Sequence, residues 1–279
     1  MCRLVRMELY KDRKSRSGRS KLDPRRYMNY LIKNVAIVLL LTGVGSAAAE
    51  IGLHAGGEYF SWKEAVFPRV KETGSRWMLG VDWLQDQPSG FRAGYKFKYY
   101  RGNVDYQGSL LFTGAPITGT TRYRGFVNEV QGLFRMPNSS FEYVSGIGWD
   151  HWNRRLSANQ DEDFDIGYLR LGASFKPPER TGFFGGAGVK YPFYARENAH
   201  LDTVFDQNPK LSLGKQVSMY GEVGYRLTQH LDLIAYYDGW HFRPSDSAIV
   251  TFRGAAARTV FQPNSRMDVL GIKLQYSFW

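Results

Sequence analysis

Near the end of the chain Leu270, Ile272, Leu274, Tyr276 and Phe278 alternate with Gly271, Lys273, Gln275 and Ser277. A period of two belongs to a β-strand with one apolar and one polar face. The pattern recurs upstream. Val217, Met219, Gly221, Val223, Tyr225 and Leu227 stand opposite Ser218, Tyr220, Glu222, Gly224 and Arg226. Phe91, Ala93, Tyr95, Phe97 and Tyr99 stand opposite Arg92, Gly94, Lys96 and Lys98, and Phe183, Ala187, Val189, Tyr191 and Phe193 opposite Gly186, Gly188 and Lys190. Extended along the chain, the alternation predicts strands near 51–62, 76–85, 91–100, 124–136, 141–152, 164–176, 183–194, 215–227, 231–243 and 267–279. No run downstream of residue 50 approaches the ~18 apolar residues of a membrane helix.

The connections alternate between two classes. Those at 86–90, 137–140, 177–182 and 228–230 are short and rich in turn residues, whereas those at 63–75, 101–123, 153–163, 195–214 and 244–266 are long and polar. Alternating segments of about ten residues, joined by short periplasmic turns and long extracellular loops, are the signature of a membrane barrel. A soluble sandwich also alternates, but its strands usually run about five to six residues and nothing enforces a long–short order. The expectation is an all-β fold: a closed, antiparallel, up-and-down transmembrane β-barrel of about ten strands, with both termini in the periplasm. Twelve strands are the alternative, if 104–113 and 118–124 form another pair. The preferred reading makes that pair a hairpin rising out of the membrane.

With apolar faces toward lipid, the other faces put a charge network in the lumen: Glu58, Asp82, Arg92, Lys96, Glu129, Arg135, Asp150, Arg170, Lys190, Glu222, Arg226, Asp238 and Lys273. Lys98, Glu142, Arg196 and Asp232 fall on the same faces. Both signs are interspersed, so they can pair inside a narrow barrel. Barrels of about eight strands are filled by side chains, and those of sixteen or more hold an aqueous channel; ten predicts a mostly plugged lumen or a narrow pore. Trp77, Trp83, Trp149, Tyr143, Tyr191 and Tyr276 lie on the lipid-facing parity as candidate interface girdles.

The first fifty residues read as an address. Residues 28–49 carry a short region with Lys33, an apolar stretch from Val35 to Val44, and Ala47, Ala48 and Ala49 as a small-residue cleavage site. The apolar stretch is too short for the ~20 residues of a spanning helix, so the expectation is a signal peptide cleaved near Ala49, export, and a barrel domain over 50–279. Residues 1–27 are basic and without periodicity, a disordered leader or the product of a start assigned ahead of Met28.

Composition changes this picture in two places. Aromatic residues make up 15% of the 279 residues, with 18 Tyr, 18 Phe and 7 Trp, and Tyr and Trp suit a boundary between lipid and water. The net charge of +11 suggests nucleic acid until it is located. Residues 1–49 hold 11 Lys and Arg against 3 Asp and Glu, which leaves 26 against 23 in the other 230. A nucleic-acid site needs its excess on the folded part, so no nucleic-acid partner is expected. Cys2 is the only cysteine, which rules out disulfides and thiolate metal sites in the barrel.

The closing residues resemble the C-terminal signal of outer-membrane barrels read by the barrel assembly machinery. Tyr276 and Phe278 occupy its aromatic positions, and Trp279 adds one residue beyond the usual end. Val104-Asp105-Tyr106-Gln107-Gly108, Gly188-Val189-Lys190-Tyr191-Pro192-Phe193-Tyr194 and Tyr236-Tyr237-Asp238-Gly239-Trp240 resemble a proteobacterial outer-membrane family. The resemblance implies the bacterial outer membrane, with its lipid and lipopolysaccharide and the assembly machinery as partners. It brings no activity, and the surface or small-molecule ligand stays unknown.

Catalytic chemistry is sparse. Omptin-like proteases set an Asp pair against an Asp–His pair at the extracellular rim. Here Asp150-His151 ends a strand and His200-Leu201-Asp202 lies in a long connection, with no Asp-x-Asp pair expected opposite either. His241 with Ser245 and Ser247 is a weak candidate for the Ser–His arrangement of lipid hydrolases. Gly182 to Gly188 opens a strand rather than a helix, so it is not a phosphate loop. The expectation is therefore no catalytic residue, no cofactor and no metal, in a non-enzymatic barrel with long extracellular loops. Its roles would be envelope structure, adhesion or limited passage of small solutes. The rival is an outer-membrane hydrolase acting on lipid or peptide at the extracellular rim.

Overall fold

The computed structural model describes residues 49–85, 90–109, 115–157, 160–176, 181–201, 205–252 and 255–278. Residues 1–48, which hold the leader and signal segment, Asp202 and Trp279 lie outside the described residues. Strands β1 (Ala49–Glu64), β2 (Val70–Gln85), β3 (Gly90–Ser109), β4 (Pro116–Arg135), β5 (Phe141–Ser157), β6 (Gln160–Phe175) and β7 (Gly182–His200) follow as antiparallel neighbours. After the short β8 (Lys210–Ser212) and β9 (Gly214–Lys215) come β10 (Ser218–Arg226), β11 (Leu231–Arg243), the hairpin β12 (Ala248–Phe252) and β13 (Ala255–Val260), and β14 (Ser265–Phe278).

Ten of these close a barrel. β7 pairs with β10, β11 with β14, and β14 returns to β1, so the sheet has no first or last strand. Closure removes the unpaired edge that an open sheet would leave in lipid. Strands β8 and β9 fill the gap between the upper parts of β7 and β11, above the start of β10. Local chemistry fits the turns: Asn138 takes a left-handed φ of 59° in the turn before β5, and Gly90 (84°) and Gly182 (138°) supply positive φ at the starts of β3 and β7.

The ten predicted strands are present, but most run further than the alternation suggested. β3 and β4 each have 20 residues, β7 has 19 and β5 has 17, against the ~9–11 needed to cross a bilayer. The long polar connections are for the most part strand: only 65–69 separates β1 from β2, and 110–115 separates β3 from β4. Residues 104–109 continue β3 and pair with 116–121 of β4, so the candidate extra pair is a rising hairpin and not two further barrel strands.

The physical reason is a reversal of faces. Along β1 the outward residues are Ile51, Leu53, Ala55 and Tyr59, then Lys63; the inward ones are His54 and Glu58, then Phe60 and Trp62. On β5 the outward set passes from Tyr143, Ile147 and Trp149 to His151, Asn153 and Arg155, while Trp152 turns inward. Below the change the barrel is apolar outside, as lipid requires; above it the barrel is apolar inside, as water requires. The upper half has its own core, in which Phe60, Trp62, Tyr123, Trp152, Phe164, Trp240 and Phe242 are fully buried. Glycines admit the larger rings: a Cβ at Gly148 would collide with Tyr168, and one at Gly271 with Tyr236.

Candidate functional site: plugged lumen and polar outer face

The lumen is layered. At the end of the barrel that holds the start of β1 and the end of β14, Glu142 of β5 binds Arg92 of β3 and, at 2.6 Å, Arg135 of β4, while Arg226 of β10 meets Asp232 of β11 at 3.1 Å. Above them Asp82 lies 3.8 Å from Lys273 and 3.7 Å from His54 Nδ1, and Lys96 and Glu222 line the same space with no hydrogen bond or ion pair among the described residues. This layer holds a cavity of about 140 Å³, and Asp82, Lys96, Arg170, Tyr220, Glu222 and Lys273 also line a second of about 100 Å³.

The next layer is tightly paired. Glu58 accepts from Arg76 (2.7 Å), Lys98 (2.8 Å) and Tyr236 (2.6 Å). Glu129 accepts from Tyr168 (2.7 Å) and Arg170 (2.9 Å). Asp150 accepts from Tyr100 (3.1 Å) and Trp240 Nε1 (2.9 Å), and Lys190 binds Asp238. The residues expected in the lumen thus meet as cross-strand and cross-lumen pairs, with Lys96 and Glu222 the loosest. Arg196 is the exception. A bulge where Tyr168 pairs with Pro192 but Gly167 pairs with Tyr194 shifts β7 by one residue, which turns Arg196 outward and Glu197 inward.

The aromatic layer lies above the charges and fills the barrel. Trp152 stacks on Phe164 (4.9 Å, 8°), which meets the edge of Trp62 at 5.6 Å, and Trp240 lies over Phe242. Over this plug sits one cation among four carboxylates. Arg154 of β5 reaches Glu64 (3.2 Å), Glu72 (2.7 Å) and Glu162 (2.8 Å). Trp62 and Gln262 also donate to Glu64, Thr121 and Tyr123 to Glu72, and Gln160 to Glu162. Glu197 is 3% exposed and its Oε2 has no hydrogen-bond partner. Burial, with Glu162 beside it, holds its carboxyl well above the ordinary carboxylate range.

Sequence reading missed the outer face. Asp163 and Asp165, two apart on β6, do stand opposite the candidate histidines: His151 Nδ1 lies 2.9 Å from Asp165 Oδ1, and His200 Nε2 lies 2.9 Å from Asp163 Oδ2. This corrects the expectation that no Asp-x-Asp pair faces them. His200 also ends β7 instead of lying in a loop. The pairs became visible only with the register of β5, β6 and β7, which no local motif announces. Both are directed away from the lumen. His241 faces outward as well, its Nε2 meets no hydrogen-bond partner among the described residues, and Ser245 Oγ donates to the Asp246 carbonyl. Among the described residues no group of three or more His, Cys, Asp or Glu is placed to hold a metal.

The expected girdle residues Trp77, Tyr143, Trp149, Tyr191 and Tyr276 are exposed on the outward face, whereas Trp83 is hemmed in by its neighbours. An apolar belt around a charged interior is stable only with lipid outside, and a closed barrel is the sheet that can present one. The protein is a closed antiparallel β-barrel of the kind that spans a membrane. More particularly, it is a ten-strand barrel whose upper half is filled by its own aromatic core.

No family model matches the chain, and no curated protein matches it in sequence. Among solved structures, the outer-membrane protease OmpT of Escherichia coli matches 82% of this chain and 96% of its own, at 11% identity and a TM-score of 0.49. The β domain of the Bordetella autotransporter BrkA (82% and 99%, 14% identity, TM-score 0.43) and Ail of Yersinia pestis with a heparin analogue (82% and 99%, 11%, TM-score 0.37) are also similar.

Proposed function

We propose that this barrel is a closed, non-enzymatic envelope protein that acts through the rigid extension it holds above the outer leaflet, as a structural element and a contact surface for adhesion. One observation carries the reading: the lumen is blocked by Trp62, Trp152, Trp240, Phe164 and Phe242, all fully buried. Solute passage would need that layer to move. Export directed by residues 28–49, assembly through the terminal Tyr276 and Phe278, and a resting place in the lipopolysaccharide leaflet belong to the same reading. In a planar bilayer the purified barrel is expected to give a flat current trace. Regular conductance steps would reinstate passage of small solutes.

The Asp–His pairs favour a second reading, a hydrolase acting on lipid at the outer leaflet. With Nδ1 toward Asp165, the other nitrogen of His151 has the arrangement of a general base. The protein in micelles, given phospholipid and glycolipid esters, is expected to show no turnover. Turnover that disappears in His151→Ala or His200→Ala would replace the non-enzymatic reading.

A further inference from the structure

We propose that the outer face of β4–β7, just above the girdle, binds the phosphorylated saccharide headgroup of an outer-leaflet glycolipid. The inference rests on the barrel's placement in the outer membrane and is independent of whether the lumen conducts.

The strand registers set out three polar rows above the stacked pair Trp149 and Tyr194 (5.3 Å, 24°). The first runs Phe126, His151, Asp165, Arg196; the second Arg124, Asn153, Asp163, Asn198, Lys210; the third Arg122, Arg155, Asp161, His200. Arg196 is two residues past Tyr194 and Arg155 six past Trp149, roughly 7 and 20 Å along tilted strands. That range is the depth of a sugar headgroup resting on acyl chains.

The carboxylates in these rows are already engaged by nearby neutral or histidine donors. Asp165 Oδ1 accepts from His151 and from Trp149 Nε1 (3.3 Å); Asp163 accepts from Asn153 (2.9 Å) and His200; Asp161 accepts from Asn153. Two of the arginines are not matched to them. Arg122 and Arg155 are direct cross-strand partners, both exposed, and among the described residues neither has a carboxylate within ion-pair reach. Like charges placed directly opposite destabilise a sheet, and an anion held between them reverses the sign. Guanidinium pairs recognise phosphate through forked hydrogen bonds, and Asp165 Oδ2 is left to take a sugar hydroxyl.

Arg101 opposite Arg124 continues the basic face onto β3, whereas another like-charged pair, Lys63 opposite Lys71 on β1 and β2, lies further round the barrel and lacks the flanking carboxylate–amide array. It separates a defined site from a diffuse cationic collar. The full barrel would be placed in phosphatidylcholine nanodiscs with a bisphosphorylated glucosamine-disaccharide lipid, its dephosphorylated form, or phosphatidylglycerol. Retained lipid would be counted by native mass spectrometry. The wild type should retain the bisphosphorylated glycolipid over both others. Arg122→Gln/Arg155→Gln should lower that retention about tenfold, in line with the loss of charge-assisted bonds, while Lys63→Gln/Lys71→Gln keeps it. Equal retention of phosphatidylglycerol, or equal loss in both double variants, would overturn the site. A chain that shows no heat-dependent gel shift in the nanodisc would instead sink the membrane placement itself, so the two failures are told apart.

Discussion

Arg154→Gln is expected to unfold the upper half of the barrel, above the apolar belt, at neutral pH and leave the belted half folded. Among the described residues the guanidinium is the one cation that Glu64, Glu72 and Glu162 share, and its side chain is 4% exposed. Removing one partner from a buried ion cluster typically costs about 3–5 kcal/mol, because the remaining charges stay buried and uncompensated. The loss should depend on pH in a definite direction. Burial raises both Glu197 and Glu162, against the pull of Arg154. A carboxyl whose folded pKa is raised contributes stability that is complete below the ordinary glutamate value of about 4.3 and is lost as pH climbs through the raised value. The wild-type extension should therefore resist protease better in mild acid than at about pH 8. Arg154→Gln should recover its extension on acidification, and Glu197→Gln should flatten the wild-type profile. Limited proteolysis across pH reads the upper half, and the heat-dependent gel shift reads the lower. Wild-type resistance of Arg154→Gln at neutral pH would mean that the carboxylates do not need this cation.

The plug gives the second large effect. Trp152→Ala should cost about 3–5 kcal/mol, the usual range for deleting a buried indole, and should open a path between the polar lumen and the exterior. Trp152 stacks on Phe164, which in turn abuts Trp62, so one deletion loosens two further rings. Its Nε1 has no hydrogen-bond partner; Trp152→Phe therefore keeps a stacking ring and loses only volume, and should be milder. Thermal melts of the two variants, set beside their bilayer currents, check this. A Trp152→Ala barrel with unchanged melting and a silent trace would show that the lumen is sealed elsewhere.

Much of the barrel was legible because lipid imposes a simple rule on it. Residues such as Leu270, Ile272 and Leu274 must face out, and Lys273 must then face in. The extension was not legible, because the rule changes sign within a strand. Past Tyr59 the apolar residues Phe60 and Trp62 keep the inward parity that Glu58 had, so a search for one continuous apolar face loses its pattern and reads the residues from 63 on as polar loop. The inversion is still written in the sequence, as Trp152 between His151 and Asn153 and as Phe164 between Asp163 and Asp165. The bulge on β7 left no comparable trace, and Arg196 was misplaced by it. The meeting of His151 with Asp165 and of His200 with Asp163 depends on two registers, the second set beyond that bulge.

The reversal of faces also gives the molecule a waterline. Sinking it would carry Arg196, Arg124 and Asp165 toward hydrocarbon, at about 2–4 kcal/mol for each Arg or Lys that nears the midplane. Lifting it would strip lipid from Leu270, Ile272 and Phe193, which are exposed only because lipid covers them. Both penalties act on many strands at once, so the barrel floats at one height and resists vertical force from either side. The same asymmetry makes insertion one-way: once the polar rows have passed through the bilayer, their return is the costliest step available to the protein.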